Sequence, residues 1–327
     1  MQETKSMQLY IFQRILQAIP LLIGIIIISF ILMNMTGDPI LAIGGDFPLP
    51  EATIQHLRKI YGLDKSIPER LWIYFGKVIR GDLGFSYRQK MPVTTLILSR
   101  LGASLSLGAA AIIISSVLGI LFGILASLRP RSFFDNIVIF LSISGFSIPV
   151  FWLAQIAILL FSAKLGWLPG LGMRTIDFGT DLGFWFLLMD RLKYLILPAF
   201  VLATANMAII ARVTRANMLE IMNKDFVTTA RAKGLPEYVV KVRHVFRNSL
   251  IVVVTMIGLN AGRFIFASVL VETVFAWPGV GRLLYSAITS RDLPVVMGIF
   301  IFSTVLVIVI NLITDILYSY LDPRIRY

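Results

Sequence analysis

The chain has 327 residues, 57% of them hydrophobic and 15% charged, with a net charge of +12. Soluble domains of this size carry about 25% charged residues, so lipid rather than water is expected to solvate much of the surface. There is no cysteine, which excludes disulfides, thiolate metal sites and cysteine nucleophiles, and with His56 and His244 as the only histidines a histidine-rich metal site is excluded as well.

In chain order, apolar runs at 15–33, 101–128, 136–163, 194–211, 248–271 and 293–314 are long enough to cross a membrane as helices, which takes about 20 residues for a hydrocarbon layer of roughly 30 Å. They are continuously apolar rather than alternating, which favours helices over barrel strands. The fourth run is short and holds Pro198; the fifth is interrupted only by Arg263. Lys5 and Arg14 precede the first run, which outlasts a signal-peptide core and ends without a small-x-small cleavage site, so a retained span is expected.

Six spans starting inside return the C-terminus inside. With that topology the inside segments hold fourteen Lys and Arg residues, and the two short outside loops (164–193 and 272–292) hold six. The long first outside segment, 37–100, holds nine more, but long loops translocate largely regardless of charge. The positive-inside rule therefore predicts both termini inside, and the basic charge needs no nucleic acid to explain it.

Segment 37–100 is punctuated by Gly37-Asp38-Pro39, Phe47-Pro48-Leu49-Pro50 and Gly81-Asp82-Leu83-Gly84 around an expected helix at 51–61. Its aromatic residues, Trp72, Tyr74 and Phe75 among them, point to an ordered element rather than a bare linker. Segment 164–193 carries Trp167, Trp185 and an apolar patch at 182–189, which fits anchoring along the outer interface. The layout expected is thus 1–36 with the first span, 37–100 outside, and a core at 101–327 with five spans.

Segment 212–248 is the longest inside loop, with eight basic and three acidic residues. Met218, Met222, Phe226 and Ala230 recur every four residues, an apolar helical stripe. Gly234 and Pro236 follow, which predicts a sharp helix stop and a second helix from Glu237. Such a helix can fit a groove on a partner or lie on anionic lipid; physics alone leaves the two equal.

Several polar residues fall inside the apolar runs. A central arginine costs about 2.5–3.5 kcal/mol on the insertion scale, and the surrounding apolar residues return roughly 4–8, so the fifth span inserts despite Arg263. Asn260, Arg263 and Ala267 share a helical face, expected to point at a translocation path or a partner subunit. Arg263 either attracts anionic cargo or pairs structurally. Asn206 is a further path candidate. Glu272 and Asp315, near span ends, are expected to be structural. Gly119 and Gly123 form a G-x-x-x-G pair that permits close helix approach but is often incidental.

Taken together, the motifs resemble type I importers of the ATP-binding-cassette class, in the oligopeptide/dipeptide/nickel branch. Their permeases carry an E-A-A-x3-G coupling motif, and Thr228, Thr229, Ala230 and Gly234 stand at its positions, the glutamate being absent as is common in that branch. The string Thr229-Ala230-Arg231-Ala232-Lys233-Gly234-Leu235 resembles the branch's own; Arg247-Asn248-Ser249-Leu250-Ile251-Val252 resembles it except for a missing proline. Other matching stretches are Arg14-Ile15-Leu16-Gln17-Ala18-Ile19-Pro20, Ile148-Pro149-Val150-Phe151-Trp152, Leu165-Gly166-Trp167-Leu168-Pro169, and Leu321-Asp322-Pro323-Arg324. The most specific is Glu272-Thr273-Val274-Phe275-Ala276-Trp277-Pro278-Gly279-Val280-Gly281-Arg282-Leu283.

The resemblance implies an all-α permease with six spans and a cytosolic coupling helix formed by Phe226, Val227, Thr228, Thr229, Ala230, Arg231, Ala232, Lys233, Gly234 and Leu235. It implies a homologous second permease, two cytosolic ATPases, an extracytoplasmic solute-binding protein, and residence in a bacterial inner membrane. ATP and Mg would sit on the ATPases; the chain has no G-x4-G-K-[ST] string of its own, and no cofactor or metal is expected on it. Peptides are the expected cargo, with nickel or a metal chelate as the alternative. A stand-alone secondary transporter is more remote, because the six unequal spans show no repeat.

Overall fold

A computed structural model describes residues 7–35, 50–55, 64–86, 88–175, 183–261 and 263–321; side chains at 7–10, 33, 259–267 and 317–321 also lie outside the described residues. Within these limits the chain is almost wholly helical. By its internal contacts it divides into two compact units, one built on residues up to 102 together with Gly279–Leu312, the other on Ala103–Pro278 and the segment from Ile313.

The first unit starts with α1 (Met7–Met35), an apolar helix with Pro20 inside it. Helix α2 (Ile67–Ile79) has proline in its first turn, where the missing N–H would be unpaired anyway. The Gly81-Asp82-Leu83-Gly84 motif is a turn. Gly81 and Gly84 have φ of +79° and +98°, a region open to glycine, and the Asp82 carboxylate accepts the Gly84 N–H at 2.9 Å. The turn leads into a short antiparallel ribbon, β1 (Phe85–Ser86) against β2 (Met91–Pro92). Leu83 is buried with Val93, Ile97, Leu283, Val295 and Ile299, drawing in the start of α3 (Val93–Leu128), α11 (Val280–Thr289) and α12 (Leu293–Leu321). Gly298 marks the tightest approach: a Cβ there would lie 2.4 Å from Val93 Cγ1.

Helix α3 continues into the second unit, where α4 (Phe133–Ser147), α5 (Val150–Ala157, widening into a π-helix over Ile158–Lys164) and α6 (Phe184–Met222) follow. The G-x-x-x-G pair is a real packing seam. A Cβ on Gly119 would meet Ile210 Cβ at 2.8 Å, and one on Gly123 would meet Thr214 Cβ at 2.5 Å. Backbones can approach so closely only where side chains are missing.

The third apolar run differs from the single continuous span expected. It breaks at Ile148–Pro149, and its halves bend by 107°. The cause is local: the residue before a proline is pushed out of the helical region, and Ile148 is extended at ψ 127°. Pro149 then starts a new helix by accepting the Trp152 and Leu153 N–H groups.

The fourth run also differs. Helix α6 is 39 residues long and continuous through Pro198, so it takes in 184–193 and 212–222, which the sequence assigns to the outside and inside connecting segments, the latter with a helical stripe of its own. The fifth run comprises α9 (Arg247–Ala261) and α10 (Arg263–Val274), with residue 262 outside the described residues. Among the described residues, four helices are long and apolar enough to cross a membrane, or five if the bent pair counts as one span.

Candidate functional site

The segment after α6 is built as the sequence suggested, with one shift of face. Helix α6 ends at Met222, and α7 (Asp225–Ala232) is a separate helix, so the Met218–Ala230 stripe is not carried by one cylinder. Restarting the helix at Asp225 rotates the buried face. Val227 is 0% exposed and Ala230 5%, whereas Phe226 is 44% exposed. Val227 and Ala230 seat against Met218, Val240 and Val245. That small core fixes the underside of α7.

The end of α7 is a Schellman motif. Gly234 has φ +76°; its N–H bonds the Arg231 carbonyl at 2.9 Å, and the Leu235 N–H reaches the Ala230 carbonyl at 3.4 Å. After Pro236 the chain turns helical again at Glu237–Val239 (α8) and widens into a π-helix over Val240–Phe246. Arg231 Nε donates to Glu237 Oε1 at 2.9 Å across the turn. The outer face left to solvent carries Phe226, Thr228, Thr229, Arg231, Ala232, Lys233, Gly234 and Leu235. It is a mixed apolar and basic surface, a little over two helical turns followed by the turn at 233–235.

Sequence reasoning missed the brace beneath this segment. Asp135, in the first turn of α4, is 0% exposed. Its Oδ1 accepts from Arg215 Nε at 2.5 Å and its Oδ2 from Arg215 Nη2 at 2.7 Å, a two-pronged pair of the kind the guanidinium fork suits. Asp135 Oδ2 also accepts the Arg131 N–H at 2.8 Å, while Ser132 Oγ caps the helix by accepting the Asp135 N–H. Arg215 lies on α6 less than one turn before Met218, so the brace joins the start of α4 to the part of α6 on which α7 rests. Only the 80-residue separation hid it.

Glu272 is also fully buried. The Ser104 and Ser268 hydroxyls donate to its Oε1 at 2.7 and 2.9 Å. The rest of its motif straps this end of α10: Trp277 Nε1 donates to the Ala103 carbonyl at 2.8 Å, and the Phe275 carbonyl accepts the Gly172 N–H at 2.8 Å. Among the path candidates, Asn206 is half-buried on α6, whereas the side chains of Asn260 and Arg263 lie outside the described residues. Asp315 is half-buried on α12.

Among the described residues, four or five spans apolar enough to cross a membrane, together with a braced and sharply stopped helix exposing one face, define a membrane-spanning protein with a surface suited to a partner. The comparisons with known proteins agree. The pattern of binding-protein-dependent transport system inner membrane components matches residues 119–327, and that of their N-terminal region matches residues 7–108. The chain belongs to this family. It is 42% identical to the oligopeptide transport system permease protein AppB of Bacillus subtilis, covering 98% of this chain and all of that one. It is 37% identical to the dipeptide transport system permease protein DppB of Alkalihalophilus pseudofirmus, covering 97% and 99%. In fold it is similar to a chain of the MetNI methionine transporter in an inward-facing crystal form, with TM-score 0.51 and 17% identity over 69% of this chain and 96% of that one.

Proposed function

We propose that this chain is one of two permease subunits of an ATP-driven peptide importer in a bacterial inner membrane, and that α7 couples it to a cytosolic ATPase. The observation that carries the coupling reading is the division of α7 into two faces: Val227 and Ala230 are sealed into the protein while Phe226 remains exposed, as does Leu235 just past the stop. A helix resting only on lipid headgroups needs no core beneath it, no Schellman stop and no ion-paired brace.

Membership of the family supports the wider assembly proposed here. The chain contributes six spans with both termini inside, the bent pair forming the third and α9 with α10 the fifth. Residues 37–100 lie outside and 101–327 form the core. A homologous permease completes the path, two ATPases hold ATP and Mg, and an extracytoplasmic solute-binding protein delivers the cargo. The peptide relatives favour peptides over nickel or a metal chelate. Asn206, Asn260 and Arg263 remain the proposed path residues. Glu272, with two hydroxyl donors, fits the structural role proposed for it, and the same role is proposed for Asp315.

The absence of cysteine makes the test direct. Single cysteines at Phe226, Thr229 and Leu235, each carrying a short photo-crosslinker, are expected to couple to the ATPase in the purified complex. A cysteine at Lys193, exposed in the part of α6 proposed to lie outside, serves as control. Crosslinking to lipid alone from all three positions would remove the coupling reading.

A further inference from the structure

Within the first unit, a cleft of about 580 Å³ is lined by three arginines on three different elements: Arg88 in the ribbon turn, Arg100 on α3 and Arg282 on α11. Ser286 and Thr289 add hydroxyls, and Leu283 is the one apolar side chain in the described lining. Asp292 is the one carboxylate there. It is 8% exposed, and its Oδ2 accepts the Ser86 hydroxyl at 2.5 Å. Ser86 Oγ in turn accepts the Gln89 N–H at 3.0 Å. Arg88 Nη1 donates to the Ser290 carbonyl at 3.0 Å, which holds its guanidinium at the rim. Beneath, Val93, Ile97 and Leu283 are buried in the core of the unit, so the cleft stands on rigid elements.

Three arginines against one carboxylate give the described lining a net positive charge, which favours an anionic partner. Guanidinium groups suit carboxylates, which they can hold with two parallel hydrogen bonds. Among the described residues the lining offers no apolar seam for acyl chains. Arg88 and Arg282 are exposed, within reach of a folded protein's surface, while Arg100 is half-buried behind them.

We propose that this cleft receives an acidic side chain of the solute-binding protein and so registers it on the permease. The proposal rests on the functional reading above, which places segments 37–100 and 272–292 outside. An exposed or rim ion pair changes binding about 1.4- to 5-fold, and its loss weakens salt dependence.

The test uses the complete importer in nanodiscs, with ATPase rate measured against the concentration of peptide-loaded solute-binding protein at two salt concentrations. The Arg88→Gln/Arg100→Gln variant is expected to raise the half-saturating concentration about threefold to tenfold. It should also flatten the salt dependence and leave the rate without binding protein unchanged. The Arg88→Lys/Arg100→Lys variant keeps both charges and is expected to retain most of the salt dependence, even if the glutamine pair fails to assemble. Unchanged half-saturation in the glutamine pair, or lysine variants that lose the salt dependence, would overturn the proposal. So would an effect confined to free-carboxyl but not amidated peptides, which points to the cargo, or one seen only with phosphatidylglycerol, which points to lipid. If the wild-type complex is not stimulated by binding protein at all, the functional reading fails instead.

Discussion

Two buried carboxyl groups in the second unit meet the same physical problem differently. Asp135 lies at a helix start against a guanidinium fork, with a backbone N–H as third donor. Glu272 lies near the end of α10, held by serine hydroxyls from two helices. An unanswered carboxylate in a low-dielectric interior costs several kcal/mol, so both must be answered. An ion pair fails badly when one half is removed; removing one of two hydroxyl donors leaves the other in place. The first arrangement suits a joint between helices that must hold under load, the second a fixed seam.

The largest expected effect breaks the first arrangement. Asp135→Ala leaves Arg215 half-buried without its two-pronged partner and is expected to cost about 3–5 kcal/mol, seen as reduced recovery of folded protein and a lower Tm of the purified complex. The double variant Asp135→Asn/Arg215→Gln should be less damaged than the sum of its singles, by about 1–3 kcal/mol in a double-mutant cycle. Simple additivity would mean that the pair is no brace.

Ser104→Ala sharpens the other side. It takes one hydroxyl donor from Glu272 and is expected to cost about 1.5–3 kcal/mol, with the complex still assembling. A loss as large as that of Asp135→Ala would erase the distinction.

The smallest effect is a control outside both sites. The Tyr74 hydroxyl is buried without a hydrogen-bond partner among the described residues, and burial, with the nearby Asp82 charge, pushes its phenol well above the ordinary range. Tyr74→Phe removes a polar atom that gains nothing from the fold, so Tm should stay or rise, by at most about 1 kcal/mol in stability. An ultraviolet titration should show one tyrosine fewer resisting ionisation at alkaline pH.

How much of this was legible in sequence depended on the range of the interaction. The Gly234–Pro236 stop is a local rule of backbone geometry, and it was read in place. The face of α7 was misjudged because the stripe was extended across Asn223 and Lys224, where the helix ends and begins again. The elbow at Pro149 was hidden inside a run whose hydropathy never falters; the proline was visible, but apolar composition carries no record of direction. The Gly119–Gly123 seam is ambiguous until a partner helix is known, and the Asp135–Arg215 pair has no local signature at all.

Helix α6 has one more consequence. At 1.5 Å per residue its 39 residues measure about 58 Å, nearly twice a hydrocarbon layer of roughly 30 Å. A strut that long turns a small rotation near Met218 into a larger sweep at its far end. Pro198, which deletes one rung of the backbone ladder, is the point at which such a lever would flex.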